Sequence, residues 1–274
     1  MDGLQERARR GLVLLGCGKM GSALLAGWRA GGLAPSAIWV IEPSPSAELR
    51  ALTGEGLHLN EELPATPAVC VLAVKPQMMA HALPQVSALG GGSTLILSIA
   101  AGTAIDRFEA VFGAGTPIVR AMPNTPAAIG RGITALIGNG AADAGALALA
   151  ETVLRAVGET VRLEDEAQMD AVTALSGSGP AYVFHLIECM AAAGAAEGLA
   201  PDLAMRLAIA TVGGAGALAA AGSEPPASLR VNVTSPGGTT AAGLTVLMDS
   251  EHGLPPLIQS TVAAAAERSR ALRD

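Results

Sequence analysis

The first half of this chain repeats one pattern: a short apolar run, a turn, then a stretch of helix formers. GLVLL (11–15) runs into a glycine-rich turn and a helix near 20–30, AIWVI (37–41) precedes a helix from Ser46 to Thr53, and AVCVLAV (68–74) precedes one from about Gln77 to Ser87. TLILSIA (94–100), a helix at 103–112, IVRAM (118–122), ITALI (133–137) and a helix near 141–157 continue the series. Runs that are apolar at every position suit strands buried on both faces. Strands alternating with helices form a mostly parallel sheet with helices on both sides. No other feature restricts the fold as much, because a parallel sheet gathers its strands' carboxyl ends on one edge, where open α/β sheets bind ligands.

The strand signal stops after Thr160-Val161-Arg162. Residues 164–199, 201–221, 236–250 and 254–272 read as helices separated by Gly and Pro. The reading is therefore two domains, an α/β domain over 1–163 and an all-α domain over 164–274. The helical half is rich in Ala and Gly, with GGAGALAAAG at 213–222. Such residues let helices approach closely, either within the chain or in an intertwined dimer. Half of the 274 residues are apolar and 15% are charged, the composition of a globular chain. A net charge of −7 gives no electrostatic case for nucleic acid or an anionic membrane. We find no uninterrupted apolar run of the ~18–20 residues that a membrane span needs. MDGLQERARR leads into the first strand without a signal-peptide apolar region, so the expected location is the cytoplasm. Cys17, Cys70 and Cys189 are odd in number and widely spaced, and they read as buried small hydrophobes in a reducing compartment.

LLGCGKMG sets Gly16, Gly18 and Gly21 as G-x-G-x-x-G after a strand and at the start of a helix. The first glycine makes the turn, the second admits a pyrophosphate close to backbone amides, and the third lets the helix pack on the sheet. Glu42 ends the second strand, 21 positions past Gly21, where an acid accepts from the adenosine ribose 2′-hydroxyl and favours NAD. Ser44 could instead donate to a 2′-phosphate, so the cofactor choice stays open between NADH and NADPH. Only two of the 17 basic residues are lysines, Lys19 in the turn and Lys75 in AVKP, and both fall at strand carboxyl ends. SIAAG (98–102) and RAMPNTPA (120–127) end further strands on the same edge. They offer small residues for a flat ring, with Asn124 and Thr125 as polar contacts.

In the helical half, LRVNVTSPGGTTAAG (229–243) forms a polar, tight loop. Ser235-Pro236-Gly237-Gly238 precedes a helix through 250, so first-turn amides there can face an anion, or the segment is a capping turn and nothing more. In ALSGSGPAY (174–182), Pro180 sits within a helical pattern loosened by Gly177 and Gly179, so a break or kink follows. Those glycines serve tight helix crossing or shape a pocket wall. His58, His81, His185 and His252 show no metal-like spacing, and no metal is expected.

GCGKMG, AVKP, SIAAG, RAMPNTPA, ALSGSGPAY and NVTSPGGTT occur in the order found in pyrroline-5-carboxylate reductases, and this chain resembles that family over essentially its whole length. The resemblance implies reduction of the cyclic imine L-1-pyrroline-5-carboxylate to L-proline with hydride from NADPH or NADH, the last step of proline biosynthesis. It also implies a Rossmann-type N-terminal domain and an all-α dimerisation domain that interleaves with its twin, often assembling further into decamers. On this resemblance Gly16, Gly18, Lys19, Met20 and Gly21 hold the pyrophosphate, and Ser44 and Asn60 contact the adenosine end. Ala73, Val74, Lys75, Pro76, Ala100 and Ala101 flank the nicotinamide half. Glu166 matches an acidic position before the long helix. Asn232, Thr239 and Thr240 match residues that grip the carboxylate and ring nitrogen, with Thr240 hydrogen-bonded to that nitrogen, and the pocket lies between the strand ends and the 229–243 loop. Relatives commonly carry an acid directly before the asparagine, where this chain has Val231, and many are neutral at the position of Glu42. A 3-hydroxyacid dehydrogenase would want a lysine in the helical half, where there is none. A non-catalytic NADPH-sensing scaffold would have no use for the polar loop.

Overall fold

A computed structural model describes residues 5, 6 and 9–272. Residues 1–4, 7, 8, 273 and 274, which belong to the expected domain spans, lie outside the described residues. Two compact units emerge, one running up to Gly177 and taken up again from Ala266, the other spanning Ser178–Ala265.

The first unit is built on eight strands: β1 (Leu12–Leu15), β2 (Ile38–Ile41), β3 (His58–Leu59), β4 (Val69–Leu72), β5 (Leu95–Ser98), β6 (Ile118–Met122), β7 (Gly132–Gly138) and β8 (Gly158–Arg162). They are ordered β3-β2-β1-β4-β5-β6-β7-β8. Every neighbouring pair is parallel except β6 and β7. The strand order reverses between β1 and β4, the switch point at which open sheets leave a crevice. Alternation within each central strand divides the core. Leu12, Leu14, Val69, Val71, Leu95 and Leu97 face α1 (Lys19–Ala30) and α5 (Ala144–Leu154), while Val13, Leu15, Cys70, Leu72 and Ile96 face the 79–89 segment and α4 (Ile105–Phe112). Trp28 is fully buried and its indole N–H donates to the Val153 carbonyl at 2.9 Å, tying α1 to α5.

Several local expectations need adjusting. The helix expected over 46–53 is α2 (Ala47–Ala51) followed by a 3₁₀ turn. That expected over 77–87 is a single α-helical turn, α3 (Met79–Ala82), between 3₁₀ segments, and Pro84 inside the expected span denies the backbone donor that a continuous helix needs. β3 has only two residues and no apolar run to announce it. The antiparallel β6–β7 pair follows from the tight 125–129 turn, which ends at Gly130 with φ +69° and reverses the chain. The long helix expected over 164–199 is broken: α6 (Met169–Val172), a π turn at Thr173–Gly177, then α7 (Gly179–Ala196), with Pro180 in its first turn. Proline without an amide hydrogen is accommodated there and nowhere deeper in a helix. A side chain at Gly177 would meet Met122 at 2.7 Å.

In the second unit α7 packs along α8 (Pro201–Ala221), with Ala191, Ala204 and Ala208 buried. A Cβ at Gly194 would stand 3.4 Å from both Ala204 and Leu199. Gly213, Gly214 and Gly216 face open space, so the small-residue run is not used in packing among the described residues. α9 (Pro226–Asn232), α10 (Thr239–Leu247) and α11 (Leu254–Ala271) follow, and α9 was hidden in the sequence by Pro225-Pro226, which starts a helix here instead of punctuating a loop. α8, though interrupted by Asp202 and Arg206, has a mean hydropathy of 1.6 over its best window and is long and apolar enough to span a bilayer by length and composition alone. The last turn of α11 belongs to the first unit, where the Ser269 hydroxyl donates to the buried Asp170 at 2.8 Å.

Of the cysteines, Cys70 is buried, Cys17 half-buried and Cys189 exposed on α7, which corrects the uniform buried reading. Burial pushes the Cys70 thiol up to about 12. Because Trp28 is both a large buried side chain and a hydrogen-bond donor, Trp28→Ala is expected to lower stability by ~3–5 kcal/mol. Urea unfolding measures this, and a loss below about 1 kcal/mol, roughly the net worth of its hydrogen bond alone, would refute the packing role.

Candidate functional site

The carboxyl ends of β1, β2, β4 and β5 collect the candidate cofactor residues along one edge of the first unit. β1 ends in Gly16, whose φ of +91° only glycine adopts readily. A Cβ there would also lie 2.7 Å from Val74 and 3.1 Å from the Ala73 backbone. Gly21 packs so closely that a Cβ would stand 2.4 Å from the Gly16 carbonyl oxygen. Gly18, by contrast, caps α1 with no side-chain hydrogen bond, and a Cβ on it would point into open space. The three glycines thus divide the work of turn, ligand approach and helix docking. The uncapped first turn of α1 offers amide donors and a positive dipole end, which fits a pyrophosphate. Lys19 is exposed and Met20 half-buried beside it.

Glu42 is more constrained than its place after β2 suggests. One carboxylate oxygen accepts from the Cys17 amide at 2.8 Å and the other from the Ser44 amide at 3.0 Å. The Asn60 side chain accepts from the Glu42 amide at 2.9 Å and donates to its carbonyl at 3.0 Å. Asn60 holds this clamp from a left-handed backbone, φ +55°, that asparagine tolerates better than most residues. Burial raises the Cys17 thiol, the Ser22 hydroxyl draws it partly back, and the Glu42 charge raises it again.

Beyond β4, Ala73 and Val74 are half-buried and Lys75 and Pro76 exposed, with Lys75 preceding a short 3₁₀ turn. Past β5, the Ala100 amide donates to the Ser98 hydroxyl at 3.3 Å, and Ala101 is exposed. Asn124, after β6, accepts from the Ile133 amide at 3.0 Å and so anchors the start of β7. Glu166 also lies in this unit. Its Oε1 accepts from Arg120 at 2.6 Å and from the Ile105 amide at 3.0 Å, joining β6 and the start of α4. Arg120 is only 2% exposed. Sequence reasoning quoted this arginine without giving it a role, although a lone charge in a strand signals a buried partner.

The second unit carries the remaining residues. Asn232 is the last residue of α9, Thr234 donates to the Arg230 carbonyl at 2.6 Å, and Gly237 turns the chain with φ +71°. The Gly238 amide closes the turn on the Ser235 carbonyl at 3.0 Å, and Gly238 caps α10 with no side-chain bond. Thr239 and Thr240 open α10, both exposed. The stretch expected to be a loop is therefore the end of one helix, a short turn and the start of the next. Val231 is exposed, and Asn232 finds its carboxylate elsewhere: its Nδ2 donates to Glu224 Oε2 at 2.9 Å. That carboxylate comes from the turn that leads into α9. Sequence reasoning missed Glu224 because it lies eight positions away and only the α9 fold brings it back. No cluster of three metal-ligating side chains occurs among the described residues.

A doubly wound sheet with an uncapped glycine-rich turn at its switch point and a clamped acid after β2 defines a dinucleotide-binding oxidoreductase. Comparison with known proteins makes the class particular. The family described as pyrroline-5-carboxylate reductase dimerisation matches residues 166–272, and that described as NADP oxidoreductase, coenzyme F420-dependent, matches 11–102. The chain is 39% identical to the pyrroline-5-carboxylate reductase of Pseudomonas aeruginosa over 96% of its length and 97% of the relative's. It is 35% identical to that of Pisum sativum over 95% of each chain. Among solved structures it is similar to a pyrroline-5-carboxylate reductase from Coxiella burnetii (TM-score 0.90, 33% identity, covering 97% of this chain and 99% of that one). It is also similar to the Plasmodium falciparum enzyme with NADP bound (TM-score 0.82, 29% identity, 97% and 99% covered). The chain belongs to the pyrroline-5-carboxylate reductase family.

The geometry separates two neighbouring glycines by experiment. Gly18→Ala is expected to leave thermal stability unchanged and weaken dinucleotide binding about tenfold, whereas Gly21→Ala lowers stability by at least ~1–3 kcal/mol through backbone overlap. Calorimetric titration and melting curves read the two effects, and equal behaviour of the variants would contradict the division of roles.

Proposed function

We propose that this chain reduces L-1-pyrroline-5-carboxylate to L-proline with NADPH or NADH, in the cytoplasm, as the last step of proline biosynthesis. The observation that carries this is kinship over 96% of the chain with a pyrroline-5-carboxylate reductase, joined to a sheet edge left open at Gly18. The reaction adds hydride to the imine carbon and a proton to the ring nitrogen. A bound reduced nicotinamide dinucleotide supplies the hydride, and a protonated imine is electrophilic enough to take it once positioned. Gly16, Gly18, Lys19, Met20 and Gly21 hold the pyrophosphate, with Glu42, Ser44 and Asn60 at the adenosine end. Ala73, Val74, Lys75, Pro76, Ala100, Ala101 and Asn124 flank the nicotinamide half.

For the substrate, the uncapped first turn of α10 supplies amides from Thr239 onward for the carboxylate, with Ser235, Gly237 and Gly238 forming the turn that leads to them. Asn232 and Thr240 face the imine. Thr240 is the catalytic candidate, a hydroxyl that hydrogen-bonds the ring nitrogen and orients it. Glu166 acts through Arg120 and the start of α4, which makes it a positioning residue in this reading. The kinship does not favour a 3-hydroxyacid dehydrogenase or a non-catalytic sensor.

The helical half mediates self-association. Phe184, Leu207, Ile209, Leu218, Val246 and Leu257 are all exposed apolar side chains of that half. We assign this surface, and the α8 composition that resembles a membrane span, to a homodimer that can build up to a decamer. Neither nucleic acid nor membrane is a partner in this reading.

Purified protein should oxidise NADPH or NADH only when pyrroline-5-carboxylate is present; turnover with neither would sink the proposal. Thr240→Val should lower kcat/KM by ~1–3 kcal/mol, the cost of an unsatisfied polar group, and wild-type kinetics would remove Thr240 from the site. Glu224→Ala should raise KM for the imine several-fold while leaving the dinucleotide dissociation constant unchanged. Loss of both together would mark a folding defect and no role in positioning Asn232.

A further inference from the structure

We propose, on the reading that the edge at Gly18 holds a nicotinamide dinucleotide, that Glu42 makes this chain selective for the dinucleotide with a free 2′-hydroxyl, NADH, over the 2′-phosphorylated NADPH. Its place after β2 only suggested an acid near the ribose. The structure adds that this acid is fixed. Both carboxylate oxygens already accept a backbone amide, from Cys17 at 2.8 Å and Ser44 at 3.0 Å, and the Asn60 side chain brackets the Glu42 backbone from both sides. Admitting a phosphate by swinging Glu42 aside would break two charge-assisted bonds and leave the Cys17 amide, in the glycine-rich turn itself, without its acceptor. Fixed in place, the carboxylate keeps acceptor capacity. An ionised carboxyl group has about four acceptor sites, two are used, and the remainder can take a ribose hydroxyl.

Arginine pairs with phosphate through its fork of donors, and the arginines of α1 and α2 each turn one donor to another acceptor. Arg29 is paired with Glu55 at 2.7 Å, and the Arg50 Nε donates to the Pro45 carbonyl at 3.2 Å. The shallow cavity behind the turn, lined by Cys17, Ser22, Arg29, Ser46 and Glu48, adds a second acid, and the Ser46 hydroxyl is occupied in capping α2. Ser44 alone remains as a neutral donor. A 2′-phosphate would sit against the fixed Glu42 charge.

The test is calorimetric titration of the full-length protein with NADH and NADPH, without substrate. The wild type should bind NADH more tightly by about tenfold or more, as expected for a single close like-charge contact near a protein surface. Equal or tighter binding of NADPH would overturn the inference. Glu42→Ser should shift the ratio of dissociation constants toward NADPH by about tenfold, and an unchanged ratio in a variant that melts normally would also overturn it. If Glu42→Ser does not fold, the wild-type ratio decides alone. Because no imine is present, tight NADH binding without subsequent turnover on pyrroline-5-carboxylate would defeat the proposed activity and leave this inference standing.

Discussion

A carbon atom added at position 21 cannot coexist with the Gly16 carbonyl, whose oxygen would lie 2.4 Å from it. The bare glycine lets α1 approach the sheet that closely, and Leu24, Leu25 and Trp28 hold it there. With α1 docked, its uncapped end lies at the β1–β4 switch point, Trp28 reaches the Val153 carbonyl, and α5 is held over the same sheet face. The Cys17 amide, set between Gly16 and Gly18 in the same turn, is then placed to meet Glu42, so the position of that acid depends on the same close approach. A single missing methyl group therefore links helix packing, dipole placement and the fixed position of an acidic side chain.

The parallel sheet was legible because burial on both faces writes itself as uninterrupted apolar runs. AVCVLAV and TLILSIA could hardly have been anything else. β3 was illegible for the opposite reason: His58-Leu59 pairs only because β2 lies beside it. The reversal of β7 depends on a left-handed Gly130 that gives no apolar signal. In the helical half, small residues blur the amphipathic pattern, so ends were set by local chemistry at prolines. Pro226 started a helix where it had looked like an interruption, and the Gly177 to Pro180 stretch gave a π turn and a restart where one long helix was expected.

The candidate site followed the same division. Residues that act through their backbone, such as Gly16 and Gly18, were named by the turn motif. Those whose role depends on a partner were named without that partner, and Glu224 was not named at all. Glu42 could be placed near a ribose, but its bonds to two amides required the folded loop. Glu224 reaches Asn232 across a helix that the sequence concealed, and Glu166 turns its charge to Arg120, whose burial no spacing rule gives. Val231 itself is exposed, and the carboxylate that Asn232 meets is Glu224.

The lysine distribution has a practical side. Lys19 and Lys75, both exposed, are the only side-chain amines in the protein, and they stand at the carboxyl ends of β1 and β4 on either side of the switch point. Acylation of lysine side chains is therefore confined to one neighbourhood, and the arginine side chains elsewhere do not take part in it. Protection of these two amines from acylation becomes a direct gauge of occupancy at the sheet edge, without a label having to be engineered.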